Sequence, residues 1–90
     1  MNKDDLIKNV SNNVGISRAD ATKCVDAVIS NIVSTLKSGN DVRLVGFGTF
    51  LVVNRAATTG RNPRTGESIQ IPAKKVPKFR AGKALKQIIN

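Results

Sequence analysis

Hydrophobic residues recur along this chain with two different periods, and the switch between them divides it in two. As far as Gly39 the period is helical. Leu6, Ile7, Val10 and Val14 fall at i, i+1, i+4 and i+8, one apolar stripe. Asn2 stands before it as an N-cap, with Asp4 and Asp5 in the first turn, where negative charge suits the helix dipole. Gly15 supplies the stop, so a first helix is predicted over residues 3–13. Ser17-x-x-Asp20 then resembles a capping box with Asp in place of Glu. Behind it Ala21, Val25, Val28, Ile29, Ile32 and Leu36 form the strongest periodic signal in the sequence, ended by Lys37 and Gly39. The first half is therefore an αα-hairpin. Within it Cys24, beside Val25 and Val28, reads as a small buried hydrophobe, and Asp26 falls on the opposite, solvated side, where a bridge to Lys3 is open but not derivable from the sequence.

From Asp41 the period becomes two. Val42 and Leu44 face one way and Arg43 and Val45 the other. Gly46-Phe47-Gly48 makes a tight corner that throws Phe47 onto an apolar surface, and Thr49-Phe50-Leu51-Val52-Val53 is β-branched and aromatic, as a strand requires. Residues 55–74 are too long for a connection and too polar for a core. Their centre, Asn62-Pro63-Arg64-Thr65-Gly66, is turn chemistry: Pro pre-sets φ and Gly tolerates a left-handed exit. Ser68-Ile69-Gln70-Ile71 alternates on the far side. This stretch is predicted to be a two-stranded ribbon with a proline at its tip. Pro77 then restricts the following strand to a sheet edge or makes it a strand end. Lys83–Ile89 closes the chain as a short helix burying Leu85, Ile88 and Ile89, which at that length must dock on something. The fold class is α+β in one domain: helical base 1–39, sheet strands in 41–54 and 75–81, arm 55–74, and C-terminal helix 83–90.

Charge sharpens this picture. The 90 residues carry +9, and residues 1–41 contribute none of it. Residues 42–90 hold ten cations against Glu67 alone. Such segregation points to a polyanion, nucleic acid before membrane or polysaccharide. One cysteine and no histidine exclude an intrachain disulfide and the commonest metal and general-base chemistry, so neither a metal site nor a cofactor is implied. The carboxylates Asp4, Asp5 and Asp20 sit at helix starts, and no catalytic constellation remains. No apolar run has the length of a signal peptide core or a membrane span, and the reading is of a soluble cytoplasmic protein. A body of about 70 residues is too small to be stable on one core alone, so oligomerisation is expected.

Arg55, Arg61 and Arg64 flank the turn bearing Pro63. A turn proline needs no further role, but a rigid apolar ring at a cationic tip favours a wedge entering base steps from the minor groove. The phenylalanines read as core, which leaves no stacking platform for single strands. No helix offers the basic, amide-rich face of a major-groove reader. Lys83, in the first turn of the last helix, is wrong for the dipole. A phosphate at that end, or simple solvation, accounts for it equally well.

The opening M-N-K-x-x-L-I, the corner L-V-G-F-G-T-F at 44–50, the arm T-G-R-N-P-R-T-G-E at 59–67 and V-P-K-F-R-A-G-K-A-L-K at 76–86 resemble the HU branch of the HU/integration-host-factor family of bacterial DNA-bending proteins. The likeness covers the whole chain. It implies an intertwined homodimer with a helical base, an antiparallel saddle of strands and two arms embracing double-stranded DNA. Minor-groove wedging is a known device of this family. By resemblance, Pro63 is the intercalating tip, and Arg55, Arg61, Asn62, Arg64 and Lys74 line the groove. Lys3, Lys75, Lys78, Arg80, Lys83 and Lys86, with the backbone of Gly46, Phe47 and Gly48, clamp phosphates. Phe47, Phe50 and Phe79 form the intersubunit core. Thr58 stands where close relatives usually carry a basic residue, which predicts one groove contact fewer per arm. The implied activity is non-sequence-specific bending and compaction of DNA in the nucleoid, with a preference for bent, nicked or gapped duplexes. A sequence-selective bender and a basic RNA-binding module are the alternatives, RNA being a secondary ligand in the first case.

Overall fold

The computed structural model describes residues 1–90, which divide into two compact units, Met1–Thr35 and Leu36–Asn90. The first unit is helical. Helix α1 spans Lys3–Val14, one residue longer than expected. Its N-cap is reciprocal: the Asp5 amide donates to Asn2 Oδ1 at 2.9 Å, and the Asn2 amide donates to Asp5 Oδ2 at 3.2 Å. Gly15 ends the helix at φ 77°, in the left-handed region that an L side chain avoids. Helix α2 spans Arg18–Lys37 and begins with the Asp20 amide donating to Ser17 Oγ at 3.1 Å. Between the helices, Ser11 Oγ donates to the Ile16 carbonyl at 2.6 Å, which fixes the turn.

The core of this unit is small. Only Ile7, Ala21 and Val25 are buried, with Val10 and Ile16 packed against them. The predicted stripe on α2 is covered at its start and half-covered at Ile32 and Leu36, but Val28 is 59% exposed and Ile29 44%. Leu6, Val10, Cys24, Val25, Val28 and Ile29 line an open apolar recess. Cys24, expected to be buried, is exposed there because nothing within the single chain covers that face.

The second unit contains two separate antiparallel sheets. Strands β1 (Val42–Leu44), β2 (Gly48–Arg55) and β5 (Lys74–Ala81) form one, in the order β1-β2-β5. Strands β3 (Thr58–Arg61) and β4 (Ser68–Ile71) form the other. Pro77 pairs with Val52 on β5, the edge strand, where its missing donor costs no ladder bond. At the β1–β2 corner the Phe47 amide donates to the Leu44 carbonyl at 3.0 Å. Gly48 is buried beneath Phe79, and a Cβ there would lie 2.5 Å from the ring. Phe79 is the centre of the aromatic cluster, 5.2 Å from Phe47 and 4.8 Å from Phe50 between ring centroids.

Helix α3 has the expected bounds, Lys83–Ile89. Its burial differs from expectation. Leu85 is half-buried, whereas Ile88 and Ile89 are 80% and 75% exposed. A seven-residue helix with two bare isoleucines is not stabilised by this chain's own contacts. Two of the three phenylalanines tell the same story: Phe47 and Phe79 keep over 40% of their surface in solvent, while Phe50 is half-buried.

Candidate nucleic-acid interface

The β2–β5 register decides which side chains share a face, because paired residues point the same way. Gly48↔Ala81, Phe50↔Phe79 and Val52↔Pro77 lie on one side, joined by Val42 and Leu44 through β1. That is the apolar face. Thr49↔Arg80, Leu51↔Lys78, Val53↔Val76 and Arg55↔Lys74 lie on the other, and Arg43 joins them opposite Thr49. Five cations, Arg43, Arg55, Lys74, Lys78 and Arg80, are thus gathered on one face of a three-stranded sheet, all exposed. Lys75 pairs with Asn54 on the opposite face, at the end nearest the arm.

Arg43 was not among the candidates drawn from the sequence. Its signal was present in the alternation Val42-Arg43-Leu44. What was missing was the sheet order, which alone sets Arg43 and Arg80 on either side of Thr49.

At the end of the sheet, Asn54, Arg55, Ala56, Ala73, Lys74 and Lys75 line a shallow recess where the arm begins. Arg55 and Lys74 complete the sheet's ladder, so the separate ribbon starts after them. Arm register runs Thr58↔Ile71, Thr59↔Gln70, Gly60↔Ile69 and Arg61↔Ser68. Thr58, Gly60, Ile69 and Ile71 therefore make one face, and Thr59, Arg61, Ser68 and Gln70 the other.

The tip is held by its own backbone and short side chains. The Asn62 amide donates to the Glu67 carbonyl at 2.7 Å, and the Gly66 amide to the Asn62 carbonyl at 2.8 Å. Asn62 Oδ1 accepts from the Arg64 amide at 2.9 Å, and Thr65 Oγ1 from the Glu67 amide at 3.3 Å. Gly66, at φ 73°, makes the left-handed exit predicted for it. Pro63 and Arg64 project from this closed loop, both exposed. A rigid frame carrying a proline ring and a guanidinium into solvent is what an insertion device needs.

On α3, Lys83 and Lys86 are three residues apart and share a side away from Leu85. Lys3 belongs to the helical unit, where its Nζ lies 2.7 Å from Asp26 Oδ1. Of the two readings open for Asp26, solvation or a bridge to Lys3, the structure shows the bridge. At the Gly46–Gly48 corner, the Phe47 amide is used by the turn itself. No group of three or more His, Cys, Asp or Glu is placed to hold a metal, and no helix is long and apolar enough to cross a membrane.

Comparison with known proteins covers the whole chain. The family model for bacterial DNA-binding proteins matches residues 1–90. DNA-binding protein HU-beta of Escherichia coli is 56% identical over 90 residues, covering 100% of both chains. DNA-binding protein HRm of Rhizobium meliloti is 53% identical at the same coverage. An Anabaena HU–DNA cocrystal structure aligns with a TM-score of 0.91 at 38% identity, covering 99% of this chain and 97% of that one. HU from Thermotoga maritima aligns with a TM-score of 0.72 at 31% identity, over all of both chains.

Proposed function

Since this chain belongs to the bacterial DNA-binding protein family, we propose that it is a homodimeric architectural protein that binds and bends double-stranded DNA without reading its sequence. One observation carries the proposal: the cationic sheet face runs out into a ribbon whose rigid tip presents Pro63 and Arg64 to solvent. The second copy follows from what this chain leaves bare. Val28, Ile29, Phe47, Phe79, Ile88 and Ile89 are apolar and substantially exposed, too much for a stable monomer of this size.

In this mechanism the sheet face receives the duplex by its phosphates, through Arg43, Arg55, Lys74, Lys78 and Arg80. Lys3, Lys75, Lys83 and Lys86 take the flanking phosphates. Each arm lies in the minor groove, with Arg61 and Arg64 along it, and the Pro63 ring enters a base step. Unstacking costs a few kcal/mol per step, offset by the phosphate contacts that the curved flanks then reach. Action of this kind requires no bond chemistry, and it places the protein on the nucleoid in the cytoplasm.

The test is a gel-shift titration on intact and gapped duplexes of one sequence across a salt series. The gapped duplex has already lost stacking at the wedge point, so it binds more tightly. If roughly six to ten phosphates are neutralised, affinity falls ~10³–10⁵-fold from low to moderate salt. Equal affinity for the two duplexes would remove the wedge. Pro63→Ala is expected to reduce the bend angle, read by end-to-end energy transfer, more than it reduces binding. Tighter binding to structured RNA than to gapped DNA would instead favour an RNA module, since A-form grooves do not suit the wedge.

A further inference from the structure

The two faces of the arm differ in what they can say to a base pair. Ile69 and Ile71, 45% and 47% exposed, lie with Gly60 and Thr58 on one face, which offers hydrogen bonds only at Thr58. The other face carries Thr59, Arg61, Ser68 and Gln70, all exposed. Three of these four are uncharged and amphoteric: each hydroxyl and the amide both donates and accepts. Gln70 is the longest of the three. It is one step diagonal to Arg61 across the ladder, a spacing that long side chains span.

The minor groove presents acceptors alone at A·T and T·A, while G·C adds the guanine amino group as a donor. A guanidinium, which only donates, suits the first and meets like against like at the second. A primary amide suits either, turning its NH₂ to an acceptor or its carbonyl to the guanine amino group. We propose that Gln70 is a groove-floor contact that makes the arm indifferent to base composition, its amide matching whichever pair lies beneath the arginine beside it. This rests on the reading that the arm occupies the minor groove. It goes further, because it assigns tolerance of sequence to a side chain rather than to the absence of base contacts.

Gel-shift titrations with three gapped duplexes test it, the flanks being all A·T, all G·C or all I·C, inosine lacking the minor-groove amino group. Gln70→Ala is expected to weaken binding to the A·T and I·C duplexes by ~3–5-fold, for loss of one contact, and to the G·C duplex by more, because the arginine left beside it cannot accept from the guanine amino group. Gln70→Lys, which only donates, is expected to shift the ratio of A·T and I·C binding over G·C binding upward by ~5-fold or more relative to the unaltered protein. Position 70 is exposed on the arm, so folding is not at issue for either variant. Binding unchanged by Gln70→Ala, an equal loss on all three duplexes, or an unshifted ratio for Gln70→Lys would each overturn the proposal. If the unaltered protein still prefers gapped over intact duplex in those cases, only this inference fails. If that preference is missing, the minor-groove reading fails with it.

Discussion

In the three-stranded sheet, the glycine at 46 turns the chain so that Phe47 comes back against Phe79; in the two-stranded sheet, the glycine at 66 closes a loop that leaves Pro63 and Arg64 in solvent. Both sheets are antiparallel, both use a positive-φ glycine at the corner, and both alternate polar with apolar positions. Only one has aromatic rings packed together on its apolar face. The aromatic cluster makes β1-β2-β5 a folding unit. The β3-β4 ribbon has two isoleucines and nothing to lay them on, and two strands alone are marginal in water. The arm's residues contribute little to the fold that carries them, which is why the proposed function assigns them to the ligand.

The widest gap between the two sheets is expected from large-to-small substitutions. Phe79→Ala removes the ring that both Phe47 and Phe50 contact, and should cost ~2–4 kcal/mol in urea denaturation, the lower part of the range for a core Phe because 42% of it faces solvent in the chain. Ile71→Ala in the arm should stay within ~0.5 kcal/mol. Similar losses at the two positions would erase the distinction drawn here.

Glycine replacement sharpens it. A Cβ on Gly48 would lie 2.6 Å from the Arg80 carbonyl oxygen as well as against the Phe79 ring, and backbone cannot step aside. Gly48→Ala should therefore destabilise by ~1–3 kcal/mol. A Cβ on Gly60 would crowd the Ile71 Cδ1 at 3.2 Å, the free end of a side chain, and meet the Ile69 carbonyl oxygen only at an ordinary 3.9 Å. Gly60→Ala should be neutral within ~0.5 kcal/mol in the same measurement.

A third contrast reads binding in place of stability. Thr58→Arg adds a cation to an exposed arm position opposite Ile71. The slope of log affinity against log salt should steepen by about one per arm, with denaturation unchanged. A slope that does not move would place position 58 away from the phosphates.

Much of this was legible in the sequence where local chemistry decides. Asn2, Gly15, Gly66 and the ends of the last helix behave as their residue types require, because caps and turns are settled within four or five residues. The arm was legible for the same reason: its turn is self-contained, and its polarity forbids a core. What the sequence could not supply were relations across the chain. Arg43 enters the cationic face only through sheet order. Cys24, Ile88 and Ile89 have the spacing of buried residues, yet the surface to cover them is not on this chain. Periodicity reports that a face wants burial and is silent on who buries it.

The Lys3–Asp26 pair is another relation of this kind, and it supplies the smallest expected effect. The two side chains are 56% and 50% exposed, so the 2.7 Å contact is worth no more than ~0.2–1 kcal/mol. Its consequence for binding is larger than for folding. While paired, Lys3 is partly neutralised in a helical unit that otherwise carries no net charge, and a phosphate must compete with Asp26 for it. Asp26→Asn keeps the shape of the side chain and removes the competitor. Affinity for duplex DNA at low salt should rise a few-fold and the salt slope should steepen by up to about one per protomer, while Lys3→Ala does the reverse. If both variants bind DNA as the unaltered protein does across the salt series, Lys3 is a structural cation only, and phosphate contact is confined to the sheet, the arm and the last helix.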